Sequence, residues 1–220
     1  TNLVTGIAAA FLDSTPLVAI TGNVATALLG RDSFQEVDIA GVTMPVTKHN
    51  YIVRDIDTLA DIIREGFDVA RSGRPGPVLI DVPKDVQTGQ AEYTPAAPGA
   101  GKKVAVCPEQ ITQAVKMIRE AERPYIYCGG GAVLADASAQ LQEFAQRLDA
   151  PVGASMMGLS AMPSDHPRFL GMVGMHGRYA ATKALYESDL LISVGARFSD
   201  RATGRQSEFS QGRRVLQIDI

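Results

Sequence analysis

Residues 73–85 read GRPGPVLIDVPKD, and the order of residue types in this stretch decides the fold class. Gly73 suits the left-handed position that closes a preceding helix, and Pro75 and Pro77 forbid that helix to resume. Residues 78–82 are apolar except for Asp81, the pattern of a strand buried on both faces, as in parallel sheets. Pro83 ends the run. Lys84 and Asp85 follow at the strand's carboxyl end, where open α/β sheets bind ligands.

Upstream, Asp57 is the expected N-cap of a helix over 58–71, with Leu59, Ile62, Ile63, Phe67 and Ala70 on one apolar stripe. Further back, the pattern predicts a helix over 3–12, a strand over 17–20 and a polar turn at Thr21, Gly22 and Asn23. Residues 24–36 then read as a short helix and an exposed loop carrying Phe34 and Gln35. Extended pieces are expected at 42–46 and 51–53, with Lys48, His49 and Asn50 between them. The chain has no Asn-Gly or Asp-Gly dipeptide, so βαβ crossovers are expected rather than hairpins.

Downstream, residues 87–103 turn to Thr, Gly, Gln, Pro and Lys with few large apolar side chains, as in an interdomain linker. A second α/β series follows. Helix 108–120 (Ile111, Val115, Ile118) leads to strand 125–128, the triplet Gly129, Gly130 and Gly131, helix 135–148, strand 152–155, and Met156, Met157 and Gly158. A loop with Met175, His176 and Gly177 precedes helix 179–186. Strand 190–194 runs into Gly195, Ala196 and Arg197, and strand 215–220 closes the sequence. Glycine after a strand lets a ligand approach backbone N–H groups, and a following helix N-terminus favours an anion there. The full G-x-G-x-x-G fingerprint would need glycine where Leu134 stands, and no Walker A sequence is present.

The fold class predicted is α/β, with two Rossmann-like parallel-sheet domains, both incomplete. With 220 residues, 45% of them hydrophobic and 20% charged, the chain can form two domains with real cores. A net charge of −3 gives no basic footprint, so nucleic acid is not an expected partner. No apolar run reaches membrane-spanning length and no leader pattern opens the chain, so a soluble, cytoplasmic protein without membrane contact is expected. Cys107 and Cys128 lack C-x-x-C spacing and read as reduced, buried thiols. The chain starts within a helical pattern and stops within a strand pattern, which leads to the expectation of a piece of a longer polypeptide.

Among the chemistry-bearing residues, the three histidines are too scattered for a metal site. His49 and His166 read as polar loop residues, whereas His176 sits in a glycine-flanked loop and is equally a loop residue or a ligand contact. Arg197, Asp200 and Arg201 cluster after a strand and a glycine. A solvated loop is one reading, and arginines serving phosphate or carboxylate is the favoured one. Lys84 is either an ordinary surface lysine or an anion contact.

Taken together, SFQEVDIAG (33–41), VTKHNYIV (46–53), SGRPGPVLIDVPKDV (72–86), YCGGG (127–131), GMHG (174–177), GARFSDRATG (195–204) and the final QIDI closely resemble the catalytic large subunits of acetolactate synthases. These are thiamine-diphosphate enzymes of branched-chain amino acid biosynthesis. The resemblance implies that residues 1–86 are the later part of a pyrimidine-binding domain, 87–105 a linker, and 106–220 most of a central FAD-binding domain. It implies an enzyme that decarboxylates pyruvate and joins the product to pyruvate or 2-oxobutanoate, using thiamine diphosphate, Mg2+ and a structural FAD.

Carried over by motif, Phe34, Gln35, Lys84, Asp200 and Arg201 line the substrate channel. FAD contacts are implied for Arg74, Gly129, Gly130, Ser155, Met156, Met157, Met175, His176, Gly195, Arg197 and Asp219. Implied partners are 2-oxo acids, a homo-oligomer (dimer or tetramer) and a regulatory small subunit. The family's activating glutamate and its Mg-diphosphate motif have no counterpart here, so neither a catalytic residue nor a metal ligand is expected, and the stretch alone is expected to be inactive. Asn23 and Ala25 stand where the family commonly has Gln and Pro, and Ser199 where it often has Asp. Alternatives are a sister enzyme (glyoxylate carboligase, sulfoacetaldehyde acetyltransferase, oxalyl-CoA decarboxylase or pyruvate oxidase) or a non-catalytic nucleotide-binding module.

Overall fold

A computed structural model describes residues 1–95, 106–204, 209 and 211–220. The chain divides into two compact units, Thr1–Val104 and Ala105–Ile220. In the first, strand β1 (Leu17–Asn23) and strand β2 (His49–Ile52) flank β3 (Pro77–Pro83), and both pairings are parallel. All seven residues of β3 are buried, as the apolar run of the opening stretch requires. Val78, Ile80 and Val82 pack on one side under α3 (Leu59–Arg71), and Leu79 packs on the other with Ala19 and Ile7 of α1 (Leu3–Asp13). Gly73 closes α3 at φ +51°, a left-handed position that side chains adopt only with strain.

Several local expectations for this unit are corrected. The polar turn expected at 21–23 is the end of β1, because Asn23 stays in register with Pro83. Residues 39–46 are helical, not extended: α2 (Ile39–Thr43) starts where the Asp38 carboxylate accepts from Gly41 N at 2.9 Å, and a 3-10 turn spans Met44–Val46. Thr43 donates to the Ile39 carbonyl at 2.7 Å, a local bond that overrides its β preference. His49 belongs to β2 and meets the Tyr51 ring edge-on at 4.4 Å. The cap at the start of α3 is Asp55 rather than Asp57, accepting from Asp57 N at 3.1 Å and opening a 3-10 turn that leads into the helix. Phe67 is 44% exposed, with Arg71 against its ring, because Gly66 takes the inward position beneath Ile80.

After β3, the chain forms a short helix α4 (Lys84–Thr88). The expected linker at 87–105 falls partly on residues 96–105, which lie outside the described residues.

The second unit is a five-stranded parallel sheet in the order β6-β5-β4-β7-β8, made from Phe169–Met172, Val152–Ala154, Pro124–Cys128, Leu190–Val194 and Arg214–Ile218. The chain starts at the central β4, winds outward through β5 and β6, then returns past β4 to β7 and β8. That is the doubly wound order, with its switch point between β4 and β7. Helices α5 (Pro108–Arg119) and α7 (Ser138–Leu148) cover the face of Ile126 and Cys128, and α8 (Tyr179–Glu187) covers the face of Tyr125 and Tyr127.

Here too the sequence expectations need correction. Strand β6 was not expected; it is four residues long, and a register shift at Val152/Gly153 accompanies its pairing. The helix expected over 135–148 is α7, starting three residues later at Ser138, and an additional short helix α6 (Gly130–Leu134) forms where only the glycine turn was expected, the two separated where Asp136 takes φ +50°. Ile111 and Val115 are exposed, since α5 meets the core through its last turn at Met117 and Ile118, with Ala121 just beyond it. Cys128 is buried but Cys107 is not, and its thiol donates to Glu109 at 2.9 Å.

Candidate functional site

The carboxyl ends of the strands in the second unit gather most of the cofactor-binding candidates. Gly129 N donates to Val194 O, Gly131 N to Gly195 O and Gly195 N to Ile218 O, each at 2.9 Å, which ties the exits of β4, β7 and β8 together. Ser155 N donates to Cys128 O at 2.9 Å, adding the exit of β5. Around this seam Met156, Met157, Met175, His176, Arg197 and Asp219 are exposed. Met175 and Arg201 are joined twice: Met175 N donates to Arg201 O at 3.0 Å, and the Arg201 guanidinium reaches the Met175 sulfur at 3.4 Å.

The glycines at this seam are needed for a reason the sequence does not reveal. A Cβ on Gly129 would stand 2.5 Å from Ala196 Cα, and one on Gly131 2.7 Å from Gly195 Cα. Gly195 has φ +57°, and its Cβ would meet the Gly131 backbone at 2.6 Å. Their small size is spent on packing the β4 exit against the β7 exit. Gly130 is the exception, facing the Met157 side chain at 3.0 Å rather than backbone.

Beneath the seam, the Tyr127 hydroxyl is buried and has no hydrogen-bond partner among the described residues. Burial pushes its phenol up to about 12. Ser155 pulls the other way, although its geometry falls short of a hydrogen bond. A buried, unmet donor at the end of the central strand is unusual in a native fold.

In the first unit the candidates split between the two ends of β3. Lys84 opens α4 at the carboxyl end and is exposed. Arg74 lies before the amino end, where its Nε donates to Ser14 Oγ at 2.8 Å. The seven residues between those ends span about 20 Å. Phe34 is 88% exposed, and Gln35 holds φ +59°, a strained conformation for a residue with a side chain. Asp200 and Arg201 open the short helix α9 (Asp200–Thr203) in the other unit, where Ser199 precedes them without capping through its side chain.

A polar network under the first unit's carboxyl edge escaped the sequence reading. Asp81, fully buried, accepts from Thr21 Oγ1 at 2.7 Å and from Asn23 Nδ2 at 2.6 Å, and Asn23 Oδ1 accepts from Val24 N at 2.9 Å. Asp85 accepts from the Thr26 amide at 3.0 Å and from its hydroxyl. These Thr26 bonds hold the Asp85 carboxyl below the usual range. The available signal was Asp81 itself, the one polar residue in a run that must be buried on both sides. Among the described residues, no group of three or more His, Cys, Asp or Glu could hold a metal ion, and no helix is long and apolar enough to cross a membrane.

A doubly wound sheet with exposed methionines and arginines at its switch point admits several nucleotide-binding families. Comparison with known families narrows them: a profile described as "Thiamine pyrophosphate enzyme, central domain" matches residues 111–220, half of the chain. The chain belongs to the thiamine pyrophosphate enzymes. A second profile of that family, "Thiamine pyrophosphate enzyme, N-terminal TPP binding domain", matches residues 1–42 of this thiamine pyrophosphate enzyme chain. The chain is 47% identical over 229 aligned residues to the "Acetolactate synthase" of Arthrospira platensis, covering all of this chain and 40% of that protein. It is 47% identical to the "Probable acetolactate synthase large subunit" of Methanocaldococcus jannaschii and 45% identical to the "Acetolactate synthase isozyme 2 large subunit" of Escherichia coli, again over its whole length and 38% and 40% of theirs. The chain thus spans about two fifths of the length of these relatives.

Proposed function

We propose that this chain supplies part of the pyrimidine-binding domain and most of the central domain of an acetolactate synthase. The enzyme would decarboxylate pyruvate and join the product to pyruvate or 2-oxobutanoate. The observation that carries this is identity of 45–47% sustained over the whole chain with acetolactate synthases from three distant organisms. Residues 1–86 are assigned to the first domain, 87–105 to the linker and 106–220 to the central domain.

The central unit suits FAD. Its switch-point seam offers apolar thioethers at Met156, Met157 and Met175 for an isoalloxazine or adenine face, and a guanidinium group at Arg197 for a diphosphate. The buried Tyr127 hydroxyl is a donor without a partner among the described residues near the same edge. Thiamine diphosphate, when bound, supplies the carbanion-stabilising chemistry. The channel residues carried over by motif, Phe34, Gln35, Lys84, Asp200 and Arg201, would bind and orient substrate and exclude water, with the Lys84 ammonium suited to the carboxylate of a 2-oxo acid. Following the resemblance, the ligands of Mg2+ and of the diphosphate are assigned to parts of the enzyme outside this chain.

The test has two parts. An enzyme containing this chain is expected to form acetolactate from pyruvate; turnover of glyoxylate but not of pyruvate would favour a sister enzyme. The chain by itself is titrated with FAD while flavin fluorescence and circular dichroism are followed. Saturable quenching that Arg197→Ala weakens about tenfold is expected, and a folded chain with no saturable binding would overturn the flavin assignment.

A further inference from the structure

Phe34 and Gln35 are exposed on the loop that follows the 3-10 turn Thr26–Leu28. Phe34 is 88% exposed and Val37 42%. Within four positions, Asp32 and Gln35 both take left-handed backbone conformations, at φ +57° and +59°. Such strain persists only where other contacts over-determine the conformation. The contacts that do so converge on one side chain. Glu36 accepts from the Gly30 amide through Oε1 and from the Ser33 amide at 3.0 Å through Oε2, and its own amide donates to Ser33 O at 3.0 Å. Ser33 Oγ completes the closure by donating to Leu28 O at 3.1 Å. The loop is therefore a small ring of backbone amides drawn around one carboxylate, with an aromatic side chain held outside it.

We propose that Glu36 is a positioning residue: its carboxylate closes loop 30–36 on itself and so fixes Phe34 and Gln35 projecting from the carboxyl edge of the first sheet. The functional meaning rests on the channel reading given above, but the loop's order can be tested apart from it. Both oxygens are engaged, which distinguishes this carboxylate from a solvated surface group. The Ser33 and Gly30 amides also hold its carboxyl below the ordinary range, as expected where backbone N–H groups satisfy the charged form. A carboxylate so committed serves the backbone and not proton transfer.

The chain contains no tryptophan, so Phe34→Trp places a single indole reporter at the exposed tip. On that background, Glu36→Ala is expected to lower the indole's fluorescence anisotropy while circular dichroism and the unfolding midpoint stay unchanged. Glu36→Gln keeps one acceptor oxygen, so it should fall between the two and reduce amide exchange protection at Gly30 or Ser33 about fivefold or more, one hydrogen bond's worth. Unchanged anisotropy in a folded Glu36→Ala chain overturns the proposal. Should that variant fail to fold, unchanged anisotropy and unchanged Gly30 and Ser33 protection in Glu36→Gln overturn it instead. Either result leaves the channel reading intact, which fails separately if substituting Phe34 in the intact enzyme changes neither KM nor kcat.

Discussion

Each unit has a parallel sheet with candidate residues at the carboxyl end of its central strand, and the two units stabilise that exit by opposite means. In the first unit β3 carries a buried carboxyl, Asp81, whose oxygens collect the side chains of Thr21 and Asn23. In the second, β4 carries no charge, and its exit is packed backbone to backbone through Gly129, Gly131 and Gly195. One edge is cemented by hydrogen bonds to acids and the other by the lack of side chains. The difference teaches that glycine after a strand is ambiguous: it can open the backbone to a ligand, or it can let two protein backbones touch.

The largest effect should come from putting a side chain into the glycine seam. Gly195→Ala adds left-handed strain of about 1–2 kcal/mol to overpacking of about 1–3 kcal/mol, so a loss of about 3 kcal/mol is expected in urea unfolding. Gly6→Ala is the control, since that glycine lies inside α1 with open space around its Cβ. It should stabilise by roughly 0.5–1 kcal/mol. If Gly195→Ala were as harmless as Gly6→Ala, the seam would be a ligand cradle and the contrast between the units would collapse.

The same experiment on the acid side is Asp81→Asn. One of the two acceptors becomes a donor, leaving either Thr21 or Asn23 facing an N–H group inside the sheet. A loss of about 1–3 kcal/mol is expected. Asn23→Ala should cost less, since it removes a donor and leaves Asp81 one bond short. Equal stability of Asp81→Asn and the parent chain would show that the network contributes nothing to the edge.

The sequence made some of this legible and hid the rest for physical reasons. The apolar run 78–82 could only be a doubly buried strand, and the six parallel pairings follow from strands separated by helical segments. The stripe on α3 was legible except at Phe67, because periodicity alone cannot say that Gly66 must fit beneath Ile80. Strand β6 was hidden by its brevity. Helix α2 was hidden because the Asp38 cap and the Thr43 back-bond depend on where the chain turns. In the candidate site, the glycine positions could be read but their use could not, since it depends on the approach of β7 to β4, residues 66 apart in sequence at Gly129 and Gly195. Asp81 was visible as an exception, while its partners Thr21 and Asn23 became identifiable only through the parallel register of β1 on β3.

A smaller effect is expected at Ala25. Its backbone sits at φ −59° and ψ 149°, values that proline also adopts, and its amide donates to no backbone carbonyl among the described residues. Ala25→Pro should therefore stabilise the chain by about 0.4–1 kcal/mol through the unfolded state. Destabilisation would mean that Asn23 and Asp85 hold this turn in a shape that proline cannot take.

The subtlest contrast is in the response to acid. Asp85 and Glu36 at the first unit's carboxyl edge have carboxyls held below their ordinary range by hydroxyl and amide donors. A carboxyl whose folded pKa is depressed contributes stability that is fully present above its unfolded pKa and is lost as pH falls through the folded value. In the second unit the comparable acid is Asp189, held low by the Glu122 and Arg123 amides, each 2.8 Å away; those amides lie before β4, at the edge away from the glycine seam. Acidification below the ordinary carboxylate range should therefore reduce exchange protection at Thr26, Gly30 and Ser33 on the carboxyl edge of the first sheet. In the second sheet it should loosen only Glu122 and Arg123 at the amino edge, because Gly129, Gly131 and Gly195 donate to carbonyls that do not titrate. Parallel loss of protection at the seam glycines would show that the two edges share one device after all.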